Sequence, residues 1–199
     1  MADIASPPLR RLLHDLCDVG PGPPAARLAV RAGADALDAV SRWLGVALPD
    51  APMAGREAGS MAALRLGPDE WLVLDRRDPA ATAHWPPAEP PAGRLSVVDV
   101  SDRQVAIIIE GPAARDLLNA GSPLDLSPGA FPVGRVVRTV FGRVEVVIWR
   151  QAAERFHLEV WRSMVGYVWR ILALAHADII SDPASLASRP DAARPADKS

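Results

Sequence analysis

Lysine is almost missing from this chain of 199 residues: Lys198 is the only one, and arginine supplies the rest of the positive charge. That bias fits a GC-rich genome, and arginine also suits interfaces because its planar fork pairs with carboxylates and stacks on rings. Cysteine is reduced to Cys17, which excludes an internal disulfide, a CxxC redox pair and a cysteine zinc cage. The opening stretch lacks the basic-then-apolar pattern of a signal peptide, and no run approaches the roughly 18 apolar residues of a membrane span. These absences predict a soluble protein of the cytoplasm. Formal net charge is −2 without a block of either sign, so the basic patch of a nucleic-acid or anionic-membrane binder is missing. There is no GxSxG elbow, Walker loop or GxGxxG fingerprint.

What is present is ample core material. Hydrophobic residues make up 49% of the chain, enough for one globular domain. Residues 1–26 read as an arm, with a short amphipathic piece from Leu9 to Leu16 and a linker or turn at Gly20-Pro21-Gly22-Pro23-Pro24. Residues 27–176 read as one α+β domain. Residues 177–199 read as a disordered tail, because from Ser181 onward Ala, Ser, Pro, Asp and Arg leave little to bury.

Within the domain one pattern runs twice. The first pass has a strand at Arg27 to Arg31, then a helix opened by Gly33 with Leu37, Val40, Ser41 and Leu44 on one face and Gly45 as its stop. A hairpin follows, Met61 to Leu66 and Trp71 to Leu74 around Gly67-Pro68-Asp69-Glu70, and a weak helix at Pro79 to Trp85 closes the pass. The second pass begins with Val105 to Ile109, an apolar run expected of a strand buried on both faces. Gly111-Pro112 opens a helix with Ala114, Leu117 and Leu118 on its apolar stripe and Gly121 at its end. The second hairpin joins Val144 to Trp149 with Phe156 to Trp161, and a helix carries Val165, Val168, Trp169 and Leu172 at helical spacing. Two related strand-helix-strand-strand-helix halves make an α+β fold.

Candidate chemistry is sparse. Histidines stand at 14, 84, 157 and 176, none paired at metal-ligand spacing. His157 and Glu159 share a strand face and could act as ligands or as an acid–base pair, but with no third group in sight the face reads as solvated. His176 reads as a cap at a helix end. Asp99-Val100-Ser101-Asp102-Arg103 is dense in polar groups, yet without a neighbouring histidine or lysine it reads as a turn. No catalytic, cofactor-binding or metal residue is assigned. The six tryptophans are the anomaly, and three of them precede arginine. Alternation puts Trp161 opposite the Phe156, Leu158 and Val160 face. Trp161, Arg162, Trp149 and Arg150 are therefore the candidate interface residues, since exposed Trp beside Arg is the composition of a binding hot spot.

Linked motifs carry a resemblance. Leu66-Gly67-Pro68-Asp69-Glu70-Trp71-Leu72 resembles a segment of the gamma subunits of heterotetrameric sarcosine oxidase. Val98 to Arg103, Gly111 to Leu118, Gly121 to Leu126, Ala130 to Gly134 and Glu159 to Ser163 match the same family in order, from about residue 26 to 171. That family is similar to the folate-binding domain of the glycine-cleavage aminomethyltransferase, which agrees with the doubled pattern. The resemblance implies a structural subunit with alpha, beta and delta partners. It implies FAD, FMN, NAD and zinc on those other chains, and tetrahydrofolate as one-carbon acceptor. The complex would demethylate sarcosine to glycine, with hydrogen peroxide and a one-carbon unit as further products. An equivalent subunit of an N-methylglutamate-type dehydrogenase, a free-standing folate-dependent transferase and an adaptor without an enzyme are the alternatives. Against the transferase, Ser122 stands where the aminomethyltransferases carry an acidic residue, with Asp125 displaced, and only Phe141-Gly142-Arg143 joins the strands where they carry a longer loop.

Overall fold

A computed structural model describes residues 9, 11–77, 86 and 89–182. Among the described residues, alternating apolar positions build ten strands in two five-stranded antiparallel sheets. In chain order these are β1 (Asp18–Pro21), β2 (Ala26–Ala32), α1 (Leu37–Leu44), β3 (Gly55–Ala58), β4 (Met61–Arg65), β5 (Glu70–Asp75) and β6 (Leu95–Asp99). The second half adds β7 (Gln104–Glu110), α2 (Ala114–Asn119), β8 (Val136–Phe141), β9 (Val144–Ala152), β10 (Arg155–Trp161) and α3 (Val165–Ser181). The weak helix expected at Pro79 to Trp85 lies outside the described residues.

The hydrogen-bonded orders are β3-β4-β5-β2-β6 and β8-β9-β10-β7-β1. They are the same order written twice, so the duplication expected from the sequence is present. One strand of each half is exchanged. β1 precedes β2 in sequence but pairs with β7, while β6 precedes β7 and pairs with β2.

The pleat sends Leu28, Val30 and Ala32 of β2 toward α1, where they pack with Val40, Leu44, Trp71 and Val73. The opposite face of that sheet meets the other sheet through Ala62, Leu64, Leu72 and Leu74 against Val136, Val147 and Trp149. The outer face of the second sheet is covered by α2 and α3, with Ile107, Ile109, Leu117, Leu118, Phe156, Leu158, Val168 and Leu172 in one cluster. The layers run helix, sheet, sheet, helices. Fully burying each such Leu- or Phe-sized side chain stabilises the fold by roughly 1.5–3 kcal/mol.

Gly45 closes α1 as expected: its φ of 76° and its N–H bond to the Ser41 carbonyl make a left-handed cap. Gly111, with a φ of 127°, lets the chain pass where a Cβ would lie 2.6 Å from the Leu16 carbonyl oxygen. That close approach anchors the N-terminal segment. Residues 18–21, assigned to the arm in the sequence, form β1, and Cys17 and Val19 sit in the core. Leu12 bridges Val19 instead of lying on an amphipathic turn.

α3 also runs further than its sequence pattern indicates, to Ser181, so His176 is not a terminal cap. Its ring is buried, with Nε2 2.9 Å from the Cys17 carbonyl oxygen, and it ties the helix to the N-terminal segment. Contrary to the expectation of no long apolar run, Arg162–Ser181 is long and apolar enough to cross a membrane by length and composition. Val165, Val168 and Leu172 press it onto the sheet. Residues 183–199 of the expected tail lie outside the described residues.

Candidate functional site

β10 alternates as its sequence indicates. Phe156, Leu158 and Val160 enter the core beneath the helices, and His157, Glu159 and Trp161 take the other face. That face is not solvated along its length. The neighbouring sheet covers it, leaving His157 2% and Glu159 0% exposed. Alternation separates the two sides of a strand; it carries no information on whether a second sheet lies over the polar one.

A buried charged group must be paired to survive the loss of water, and the partner is Arg27 at the start of β2. Its Nε donates to Glu159 Oε2 at 2.8 Å and its Nη2 to Oε1 at 3.2 Å, a two-pronged grip. Nη1 donates to the Ala25 carbonyl at 2.8 Å. His157 Nε2 lies 2.7 Å from Glu159 Oε1. Burial opposes ionisation of Glu159, but the hydrogen bond and charge of His157, joined by those of Arg27, outweigh it and hold the carboxyl below its ordinary range. Trp149 stands beside His157, ring centroids 5.8 Å apart. The Trp149 Nε1 and His157 Nδ1 atoms are buried without partners.

The network reaches the surface through backbone. The Arg27 N–H donates to Ser101 Oγ at 2.9 Å, and the Ser101 N–H donates to Asp99 Oδ1 at 2.8 Å. The Arg103 N–H closes on the Val100 carbonyl. The polar cluster at 99–103 is thus a turn, as expected. Beside it opens a cleft of about 450 Å³ whose walls include Arg27, Ser101, Gln104, Pro23 and Arg162. Trp161 is 43% exposed, with the Arg103 guanidinium 5.6 Å from the ring centroid. Arg162 Nε donates to the Asp102 carbonyl at 2.9 Å.

Two of the four candidate interface residues are corrected. Trp149 is buried between the sheets, because β9 is an interior strand and its alternation points Trp149 at the facing sheet. Arg150 points the other way and is also buried, donating to the carbonyls of Phe131, Ala152 and Ala153 above the Phe156 ring. Burial, aided by the charge of Arg115, lowers its pKa from the ordinary arginine value. Trp161 and Arg162 remain at the surface corner. Arg27 and Gln104 were missed in the sequence. The available signal was a charged residue at the head of β2 on the face opposite Leu28 and Val30.

The His157–Glu159 pair is buried between the sheets, and Ser101 Oγ accepts the Arg27 N–H. Ser122 is buried and accepts the Leu124 N–H, while Asp125 accepts the Ser127 N–H at the surface. No cluster of three metal-ligating side chains occurs among the described residues.

The sequence profile of the sarcosine oxidase, gamma subunit family matches residues 30–178. The chain belongs to this family. The sarcosine oxidase subunit gamma of Corynebacterium sp. strain U-96 is 33% identical over 138 residues, 66% of this chain and 65% of that one. Its counterpart in Corynebacterium sp. strain P-1 is 29% identical over 166 residues, covering 80% and 79%. Among solved structures, a chain of the heterotetrameric sarcosine oxidase of Corynebacterium sp. U-96, in complex with pyrrole 2-carboxylate, superposes with a TM-score of 0.72 at 26% identity over 84% of this chain and 88% of that one. The aminomethyltransferase T of the glycine cleavage system from Bartonella henselae matches with a TM-score of 0.56 at 15% identity, over 77% of this chain and 44% of that one. At that identity the likeness is one of fold. In this chain Gly142-Arg143 makes a two-residue turn between β8 and β9.

Proposed function

We propose that this family member is a non-catalytic structural subunit of a heterotetrameric sarcosine oxidase. The complex would oxidatively demethylate sarcosine to glycine, with hydrogen peroxide and a one-carbon unit released as formaldehyde or passed to tetrahydrofolate. In this reading alpha, beta and delta chains are its partners and carry FAD, FMN, NAD and zinc. The cytoplasm is its place, in keeping with its lone unpaired cysteine.

The observation that carries the reading is a contrast on one strand face. His157 and Glu159, the pair able to move protons, are spent on a buried ion network, while Trp161 two residues on is left in solvent under Arg103. A face built for chemistry would have the reverse exposure. α3 supports partner contact as well, because its outward side still presents Tyr167 and Leu174, the latter 64% exposed. A helix that is apolar around its circumference usually has both sides covered.

A mild pull-down of this chain from its own cells tests the reading. A yellow complex with three further chains and sarcosine-dependent peroxide is the expected result; a colourless lone chain that binds tetrahydrofolate would contradict it. Trp161→Ala is expected to weaken association by about 2 kcal/mol or more, the usual loss at a hot spot, without lowering the melting temperature of the isolated chain.

A further inference from the structure

The turn that leads into β8 sets an arginine against an arginine. Gly134 has a φ of 87°, and the Arg135 N–H closes the turn on the Pro132 carbonyl at 3.0 Å. The Arg150 N–H donates to the Arg135 carbonyl at 3.0 Å, while the Arg150 carbonyl accepts the Gly134 N–H at 2.8 Å. Two residues thus stand against one, a bulge opened by a left-handed glycine. The register then puts Val136 opposite Trp149, so Arg135 and Arg150 are cross-strand neighbours on the helix-covered face of the sheet. Like charges placed directly opposite repel.

No carboxylate answers this pair among the described residues. Arg150 is 3% exposed and donates only to the carbonyls of Phe131, Ala152 and Ala153. Its nearest strong charge is another cation, Arg115, which with burial lowers its pKa. Asp125 feels the charge of Arg115 and spends an oxygen on the Ser127 N–H. Arg135 makes no side-chain hydrogen bond or ion pair among the described residues: its Nε is buried without a partner, and its terminal amines are not enclosed with it. A buried charge without a counter-ion is costly, and native folds rarely keep one.

We propose that the Arg135–Arg150 pair is an oxyanion site. The terminal amines of Arg135 hold two oxygens of a sulfate, phosphate or carboxylate group, for which a guanidinium fork is the matching shape. The buried charge of Arg150 adds its attraction without touching the anion, and the bound group relieves the repulsion across the strands. The oxyanion is either free in solution or a carboxylate of a neighbouring chain; the chemistry of the site is the same.

The test starts with the full chain melted in chloride and in about 50 mM sulfate at equal ionic strength. Wild type should gain about 4 °C more from sulfate than Arg135→Met does. In chloride the variant should melt no lower than wild type, because methionine keeps the packing and removes both the stranded Nε and the repulsion. Should the methionine variant fail to fold, Arg135→Gln, which keeps a donor but not the charge, carries the same expectation. Equal gains in wild type and variant would be the general action of sulfate on folded proteins, and would overturn the proposal. Repeating the comparison on the chain co-expressed with its partner chains identifies the source. A sulfate gain that persists there means a free anion. A gain that vanishes, with assembly weakened about tenfold by Arg135→Met, means a carboxylate of a partner chain.

Discussion

Glu159 shows how one residue can hold two sheets. Its carboxylate joins β10 to Arg27 of β2 across 132 positions of sequence, and neither charge is stable there alone. Glu159→Gln keeps the shape but strands Arg27, so a loss of about 3–5 kcal/mol is expected on urea unfolding. Replacing both residues by apolar ones of similar volume should recover most of that loss. The pH dependence follows from the sign of the shift. The folded carboxyl titrates below the unfolded one, so its stabilisation is complete above about pH 4.3, the value of a free glutamate, and is lost as pH falls through the folded value. Wild type should therefore lose more stability than Glu159→Gln between pH 5 and pH 3. Cys17 gives a second residue-level check. Burial, with the nearby charge of Asp18, pushes its thiol up to about 12. It should be inert to a thiol reagent in the folded protein and react only at the rate of unfolding. A fast reaction under native conditions would show that the N-terminal segment is not seated as described.

At the scale of elements, the sequence was legible where pattern and punctuation agree. β5 and β7, the 99–103 turn and the Gly45 stop lie where periodicity and turn chemistry put them. The site was harder to read. Alternation sorted His157, Glu159 and Trp161 onto one face correctly, but the covering sheet buries the first two and spares the third, and that depends on contacts distant in sequence. Trp149 and Arg150 failed as surface residues for the same reason, since interior position within a sheet is set by pairing partners rather than by the strand's own letters. β1 escaped notice because Gly and Pro punctuate it, although Pro is tolerated on an edge strand such as this one. Gly111 tests that assignment. Gly111→Ala meets both a positive φ and the Leu16 carbonyl, so a drop of several degrees in melting temperature is expected. An unchanged melting curve would mean that the N-terminal segment does not pack there.

For the whole molecule, the doubled pattern was visible in sequence but the strand exchange was not, because β1 and β6 are short and each pairs with the half it does not precede. The exchange makes the halves interdependent. A fragment of residues 89–182 lacks β1 and leaves the apolar β7 edge unpaired, which invites aggregation. It should stay soluble only when a peptide of residues 9–24 is supplied, as read by light scattering and circular dichroism. A fragment that folds alone would argue against the exchanged strands. The proposed role, a subunit that contributes surface rather than chemistry, is in keeping with a charged pair locked between the sheets and an exposed Trp161.

That central claim is tested most directly by turnover per assembled complex in the Trp161→Ala variant. The assembled fraction is counted by native mass spectrometry, and sarcosine-dependent peroxide release is measured on the same sample. The account predicts that the association constant falls about thirtyfold or more while each complex that does form turns over at the wild-type rate. A fully assembled complex whose turnover has collapsed would contradict it, and would place Trp161 in the reaction itself.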